Sequence, residues 1–277
     1  TATAGDDIEV IASDDITSVG ADGGGHIYVE SFFGNVGSVG ATAEDGYVEV
    51  LAEDVTSVTA TAGGDSAGDF RGAGDIYVQA SSGGSVGSVV GNASDDFVVQ
   101  ASSDIGSVTG VGDSLLVNAG GSVQTVDVEI MAGDDVFNTR ELSYSLGFGT
   151  DAGLPSGKVS VDAVIVGAAS VGDVSISTNS SDESLDLFVA SFGSVGSVSV
   201  DLGDTGGSGF LPPREPLDAT IDIHAQNDDA VTVSLSANSD AAVDLFVGSV
   251  TSDTDTAPTE LNLTVNNANE DAFINVY

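Results

Sequence analysis

The sequence predicts an all-β chain wound as a single parallel β-solenoid, or β-helix, with coils of ~20 residues. Three observations carry this. One five-residue pattern recurs six times in the first half, a second short unit follows each copy, and no window has helical periodicity.

The recurring segments are Ile8-Glu9-Val10-Ile11-Ala12, Ile27-Tyr28-Val29-Glu30-Ser31, Val48-Glu49-Val50-Leu51-Ala52, Ile76-Tyr77-Val78-Gln79-Ala80, Phe97-Val98-Val99-Gln100-Ala101 and Leu115-Leu116-Val117-Asn118-Ala119. They superimpose without gaps. Read as strands, alternate side chains face opposite sides, so the first, third and fifth positions form columns facing one core. The third position is Val in all six; the fifth is Ala or Ser. The remaining two positions mix Glu, Tyr, Gln and Asn with Val and Leu, as expected of a solvated or partner-facing surface.

The second units are Ile16-Thr17-Ser18-Val19, Val36-Gly37-Ser38-Val39, Val55-Thr56-Ser57-Val58, Val86-Gly87-Ser88-Val89, Ile105-Gly106-Ser107-Val108 and Val123-Gln124-Thr125-Val126. Their apolar positions lie three apart, which breaks strand alternation and predicts a corner where Gly, Ser or Thr turns the backbone. The last valines step by 20, 19, 31, 19 and 18 residues, the long step holding an insertion around Gly63 to Gly74. Gly, Ser, Thr and Val are poor helix formers, so helix content is expected to be very low.

Regular coils are expected over residues 5–130. Less regular coils follow over 158–277, where Val159-Ser160-Val161, Val174-Ser175-Ile176 and Ile221-Asp222-Ile223 still alternate. Asp186-Leu187-Phe188-Val189 recurs 58 residues on as Asp244-Leu245-Phe246-Val247, which is close to three periods. Excursions near 138–157, 203–217 and 252–258 read as side loops, giving one domain over 1–277. Roughly 11 to 14 turns at ~4.8 Å each would make a stiff rod. The alternative is a Greek-key β-sandwich, which also uses short strands and Gly-rich turns but needs no single consensus in register.

Charge limits the partners. The chain has 44 Asp and Glu against 4 Lys and Arg, a formal net charge of −40. Nucleic acids and anionic membrane surfaces, both bound through Lys and Arg, are therefore excluded as expected partners. A hydrophobic fraction of 41 % and a mean hydropathy of +0.20 separate the chain from highly charged disordered sequences. It has no Cys, hence no disulfide framework or thiolate zinc site. No apolar run reaches the ~18 residues that membrane insertion by a helix requires. The start, Thr1 to Gly5, lacks the basic and apolar regions of a leader and reads as a mature N-terminus.

Acidic pairs recur at the strand edges: Asp6-Asp7, Asp14-Asp15, Glu44-Asp45, Glu53-Asp54, Asp95-Asp96, Asp134-Asp135 and Asp228-Asp229. Stacked coils would bring these charges together, and two carboxylates ~5 Å apart repel by about 1 kcal/mol in water and by several times that near a protein surface. Calcium, with 6–8 oxygen ligands from carboxylates, carbonyls and water, is the expected counterion. The candidate ligands are Asp6, Asp7, Asp14, Asp15, Asp75, Asp95, Asp96, Asp134 and Asp135.

The stretches Gly5-Asp6-Asp7-Ile8, Gly72-Ala73-Gly74-Asp75-Ile76-Tyr77 and Gly133-Asp134-Asp135-Val136-Phe137 resemble fragments of the nonapeptide of repeats-in-toxin β-rolls. The resemblance is confined to these turns and implies Gly-Asp turns that bind calcium between coils, on an extracellular solenoid of the surface-layer or filament-subunit type. The full tandem spacing of that motif is not completed anywhere in the chain.

Catalytic chemistry is not expected. His26 and His224 lie in different repeats, and His26 shares a column with Asp7, Tyr47, Asp75, Asp96 and Ser114, which suits a surface side chain. Asp204-Thr205-Gly206 matches the short aspartic-protease motif, but no second copy supplies the partner carboxylate. A carbohydrate-active β-helix enzyme is the least favoured alternative. The expected function is that of an extracellular or cell-surface structural protein. It would assemble head to tail with copies of itself into a filament or surface layer, because both termini read as strand. The alternative is a solenoid adhesin that binds cell-surface glycans.

Overall fold

Short runs of β-branched and small apolar residues, each bounded by Gly, Asp or Ser, have little choice but to extend and pair. The structure is a computed structural model that describes residues 1–64, 73–131, 162–178, 185–191, 193–202, 217–225, 231–237, 241–248, 261–267 and 272–276. Among these residues there are strands and turns but no helix. The chain divides into two compact units, Thr1–Val128 and Glu129–Tyr277.

In the first unit the chain alternates between two sheets. One is built, in spatial order, from β1 (Ala2–Ala4), β3 (Ile16–Gly23), β5 (Val36–Ala43), β7 (Val55–Ala62), β9 (Val86–Ala93), β11 (Ile105–Gly112) and β13 (Ser122–Ile130). The other holds β2 (Ile8–Ala12), β4 (Ile27–Ser31), β6 (Val48–Ala52), β8 (Ile76–Ala80), β10 (Asp96–Ala101) and β12 (Ser114–Ala119). Each coil adds one strand to each sheet, in parallel to the strand of the preceding coil. This is a parallel β-solenoid, and the β-sandwich alternative is set aside because sandwich strands pair antiparallel.

The valine column is real. Val10, Val29, Val50, Val78, Val99 and Val117 are consecutive partners in register, and the last five have 0 % exposure. Identical register follows from the period of two: a slip of one residue would turn every inward valine to the outside.

The second units, expected to be corners, sit instead within β3, β5, β7, β9, β11 and β13. There the ladder passes from Ile16↔Val36 directly to Ser18↔Ser38, so Thr17 and Gly37 mark a one-residue interruption where the strand bends. Beyond the bend the inward positions are small: Ala21, Ala41, Ala60 and Gly91 stack in one column.

The outer face of the second sheet departs from expectation. Glu9 and Ile11 are exposed as predicted, but Glu49, Val98 and Leu116 are buried. From Phe97-Val98-Val99 to Leu115-Leu116-Val117 the strands are apolar in both alternations, the pattern of a parallel sheet that is dry on both faces.

The second unit repeats the plan with longer coils. Its sheets are β14 (Ala163–Gly167), β16 (Leu185–Ser191), β19 (Leu217–Ala225), β21 (Ala241–Gly248) and β23 (Ala272–Val276), and β15 (Ser170–Thr178), β18 (Ser197–Leu202), β20 (Val231–Ala237) and β22 (Leu261–Asn267). β17 (Ser194–Val195) also pairs with β15. Asp186 pairs with Thr220 and Thr220 with Asp244, so the 58-residue recurrence spans two coils and not three. The strands keep their register while the connections between them lengthen, which a solenoid tolerates because extra chain loops out at a corner. The side loops predicted near 138–157, 203–217 and 252–258 lie outside the described residues, Leu217 apart.

Candidate functional site

Several acidic residues of the first unit fall into two corner columns, each at or immediately ahead of the start of a strand. At the corner before the second sheet the column is Asp7, His26, Tyr47, Asp75, Asp96 and Ser114. The His26 N–H donates to Asp7 Oδ1 at 2.8 Å, the Tyr47 N–H to His26 Nδ1 at 3.3 Å, and the Asp96 N–H to Asp75 Oδ1 at 3.1 Å. The Ser114 hydroxyl donates to Asp96 Oδ1. The His26 and Tyr47 rings stack with centroids 4.3 Å apart.

At the opposite corner the column is Asp15, Asn35, Asp54, Ser85, Asp104 and Ser122. Here the Asn35 N–H donates to Asp15 Oδ1 at 2.8 Å, the Ser85 N–H to Asp54 Oδ1 at 2.7 Å, and the Ser122 N–H to Asp104 Oδ1 at 2.7 Å. Asp7, His26 and Asp75 in one column, and Asp15, Asp54, Ser85 and Asp104 in the other, thus accept the backbone N–H of their own equivalent one coil on. The logic is that of a helix N-cap carried into a solenoid: the chain turns, the donor leaves the ladder, and a short polar side chain satisfies it.

This arrangement also explains the residue before the cap. A Cβ on Gly25 would fall onto Asp7 Oδ1, and one on Gly121 onto Asp104 Oδ1. The carboxylate occupies the space a side chain would need.

The predicted calcium ligands are therefore dispersed along the coils. Asp7, Asp15 and Asp75 cap the N–H of the next coil, and Asp96 accepts the Ser114 hydroxyl. Asp6 and Asp14 are exposed, the Asp14 carbonyl accepting the Ser31 hydroxyl at 2.8 Å, and Asp95 is buried. Asp134, Asp135 and the Asp204-Thr205-Gly206 motif lie outside the described residues. Among the described residues no three His, Asp or Glu side chains come together as a metal-holding group. One N–H uses only one of the roughly four acceptor positions of a carboxylate, so a capping Asp retains capacity toward a cation.

The caps Asp54, Asp104 and Ser85 were not among the predicted site residues. Their signal was present in the sequence: each directly precedes the first apolar residue of a strand, as His26 does in the other column.

The second unit holds a different constellation. On β16 and β19 the register places Asp186 beside Thr220, Phe188 beside Asp222 and Ala190 beside His224. Phe188 and His224 are in ring contact at 5.3 Å. Burial pushes the Asp186 carboxyl above its ordinary value, opposed by its hydrogen bond with Thr220. Burial likewise raises Asp222; the charge of His224 opposes this and that of Asp186 adds to it. Such a patch can hold a proton on the outer face of the sheet. Sequence reading missed it because the residues are 34 to 38 positions apart and only strand pairing unites them.

No protein-family model, curated protein sequence or solved structure matches this chain.

Proposed function

We propose that this protein is an extracellular structural subunit that assembles end to end with copies of itself, with calcium as the counterion of its acidic surface. The observation that carries the reading is the constancy of register in the first unit: coil after coil offers the next the same valine column, and at several corners a side chain that takes the next coil's N–H. A coil face of one copy meeting that of another would find the bonding pattern it already uses inside the chain. Such a contact is heterologous and propagates into an open polymer.

Charge sets the condition for assembly. At a net charge of −40, copies repel unless cations gather between them. Exposed carboxylates such as Asp6, Asp14, Glu44 and Glu53 suit weak calcium binding in the ~10⁻⁴–10⁻³ M range of extracellular modules. Sedimentation and electron microscopy of the purified chain test this. Polymers are expected with millimolar calcium and dispersal with a chelator; a monomer at every protein and calcium concentration overturns the reading.

A further inference from the structure

The large apolar side chains exposed among the described residues are Ile11 (49 %), Phe32 (56 %), Phe33 (81 %), Val90 and Met131. Two of these, Phe32 and Phe33, are adjacent at one corner, and Ile11 lies on the preceding coil in register with Glu30. The Phe32 N–H donates to the carbonyl of Ala12 at 3.0 Å, so Phe32 sits against the residue that follows Ile11. The Phe32 and Phe33 rings are tilted against each other with centroids 6.5 Å apart.

The corner that carries the two rings is pinned on both sides. Ser31 before them donates its hydroxyl to the Asp14 carbonyl at 2.8 Å. After them, the Gly34 carbonyl accepts the Glu53 N–H at 3.0 Å and the Asn35 N–H reaches Asp15 Oδ1 at 2.8 Å. Ser31 and Gly34 are buried, so the rings project from a fixed base and little ordering is left for a partner to impose.

Acidic residues bracket the rings: exposed Asp14 and Asp15 on one neighbouring coil, exposed Glu53 and half-buried Asp54 on the other. The four cationic side chains of the chain, Arg71, Arg140, Lys158 and Arg214, all fall outside the described residues. Among the described residues no Lys or Arg stands beside this corner, so its acidic charge suits a cationic partner. A second copy brings 44 acids against 4 bases, and an anionic lipid surface brings more negative charge.

We propose that Ile11, Phe32 and Phe33, bracketed by Asp14, Asp15 and Glu53, form a docking surface for a basic amphipathic segment of another protein. The rings insert among its apolar side chains while its Lys and Arg meet the flanking carboxylates. This goes beyond end-to-end assembly, since it concerns the side of a coil and not its face.

The test uses the full chain and two labelled peptides of equal charge, one with lysines on one helical face and leucines on the other, one with serines replacing the leucines. Fluorescence anisotropy is expected to show the Lys/Leu peptide binding about tenfold tighter, a difference of about 1.4 kcal/mol. Phe32→Ser with Phe33→Ser should abolish that preference and leave Lys/Ser binding unchanged, and Asp14→Asn with Glu53→Gln should weaken both peptides and flatten the salt dependence. Urea unfolding confirms that each variant is folded; Phe33→Ser alone, at the most exposed ring, serves if the double variant is not. The proposal is overturned if the wild type has no Lys/Leu preference, if that preference survives loss of the rings, or if the ring variant instead changes the oligomeric state in sedimentation, which would assign the patch to copies of this chain.

Discussion

Gly91 faces the ring of Phe97 so closely that a Cβ at residue 91 would lie 2.6 Å from Phe97 Cζ. Phe97 occupies the column that Ile8, Ile27, Val48 and Ile76 fill in earlier coils, and Gly91 the column of Ala21, Ala41 and Ala60. A larger inward residue is matched by a smaller one, keeping the interior at constant density. Gly91→Ala is expected to destabilise the protein by about 1–3 kcal/mol through overpacking. Adding Phe97→Ile recreates the Ala60 and Ile76 combination and should recover most of that loss in a double-mutant cycle read by urea unfolding. Additive effects would show that the two positions are independent.

The corner caps make a second prediction. Asp54 Oδ1 accepts the Ser85 N–H at 2.7 Å, so Asp54→Ala strands a donor and should lower stability by about 1 kcal/mol. Asp54→Asn keeps an acceptor oxygen and removes one negative charge from a chain at −40. It is expected to be neutral or stabilising. Equal losses for Ala and Asn would mean that charge, and not the hydrogen bond, is what Asp54 contributes.

The patch on β16 and β19 predicts a pH dependence. Burial raises Asp222 above its ordinary 3.8, so the folded state favours the protonated carboxyl. The stability this contributes is fully present below pH 3.8 and is lost as pH rises through the raised value. The groups that bear on it are His224 and Asp186. Asp222→Asn should therefore gain stability relative to the wild type as pH rises through this window, measured by urea unfolding at matched pH. A difference that stays flat with pH would place Asp222 at its ordinary value.

Calcium should raise the thermal transition in low salt and a chelator should lower it. At a free concentration ten times its dissociation constant, each independent site adds about 1.4 kcal/mol. Monovalent salt at high concentration should reproduce part of the gain by screening the acidic surface. A transition indifferent to both ions would mean that the capped carboxylates repel one another far less than their number suggests.

Strand alternation made the solenoid legible: six Val-centred segments with one consensus can all be buried only if they stack in register. Acidic turns were equally plain as a composition, but their role was not. Asp7 and Asp15 read in sequence as candidate calcium ligands, and their capping bonds are not visible there because the donor each one meets lies 19 or 20 residues away on the next coil.

Alternation of side chains along a strand is local, so the chain by itself settled the all-β class, the coil period of its first half and the inward valines. Tertiary pairing decided what lies side by side: which backbone N–H each Asp receives, that Gly91 makes room for Phe97, and that Asp186, Asp222 and His224 share one patch. Neighbours across a parallel ladder are set by the length of the intervening coil, and in the second unit those lengths of 24 and 34 residues follow no period that composition reveals.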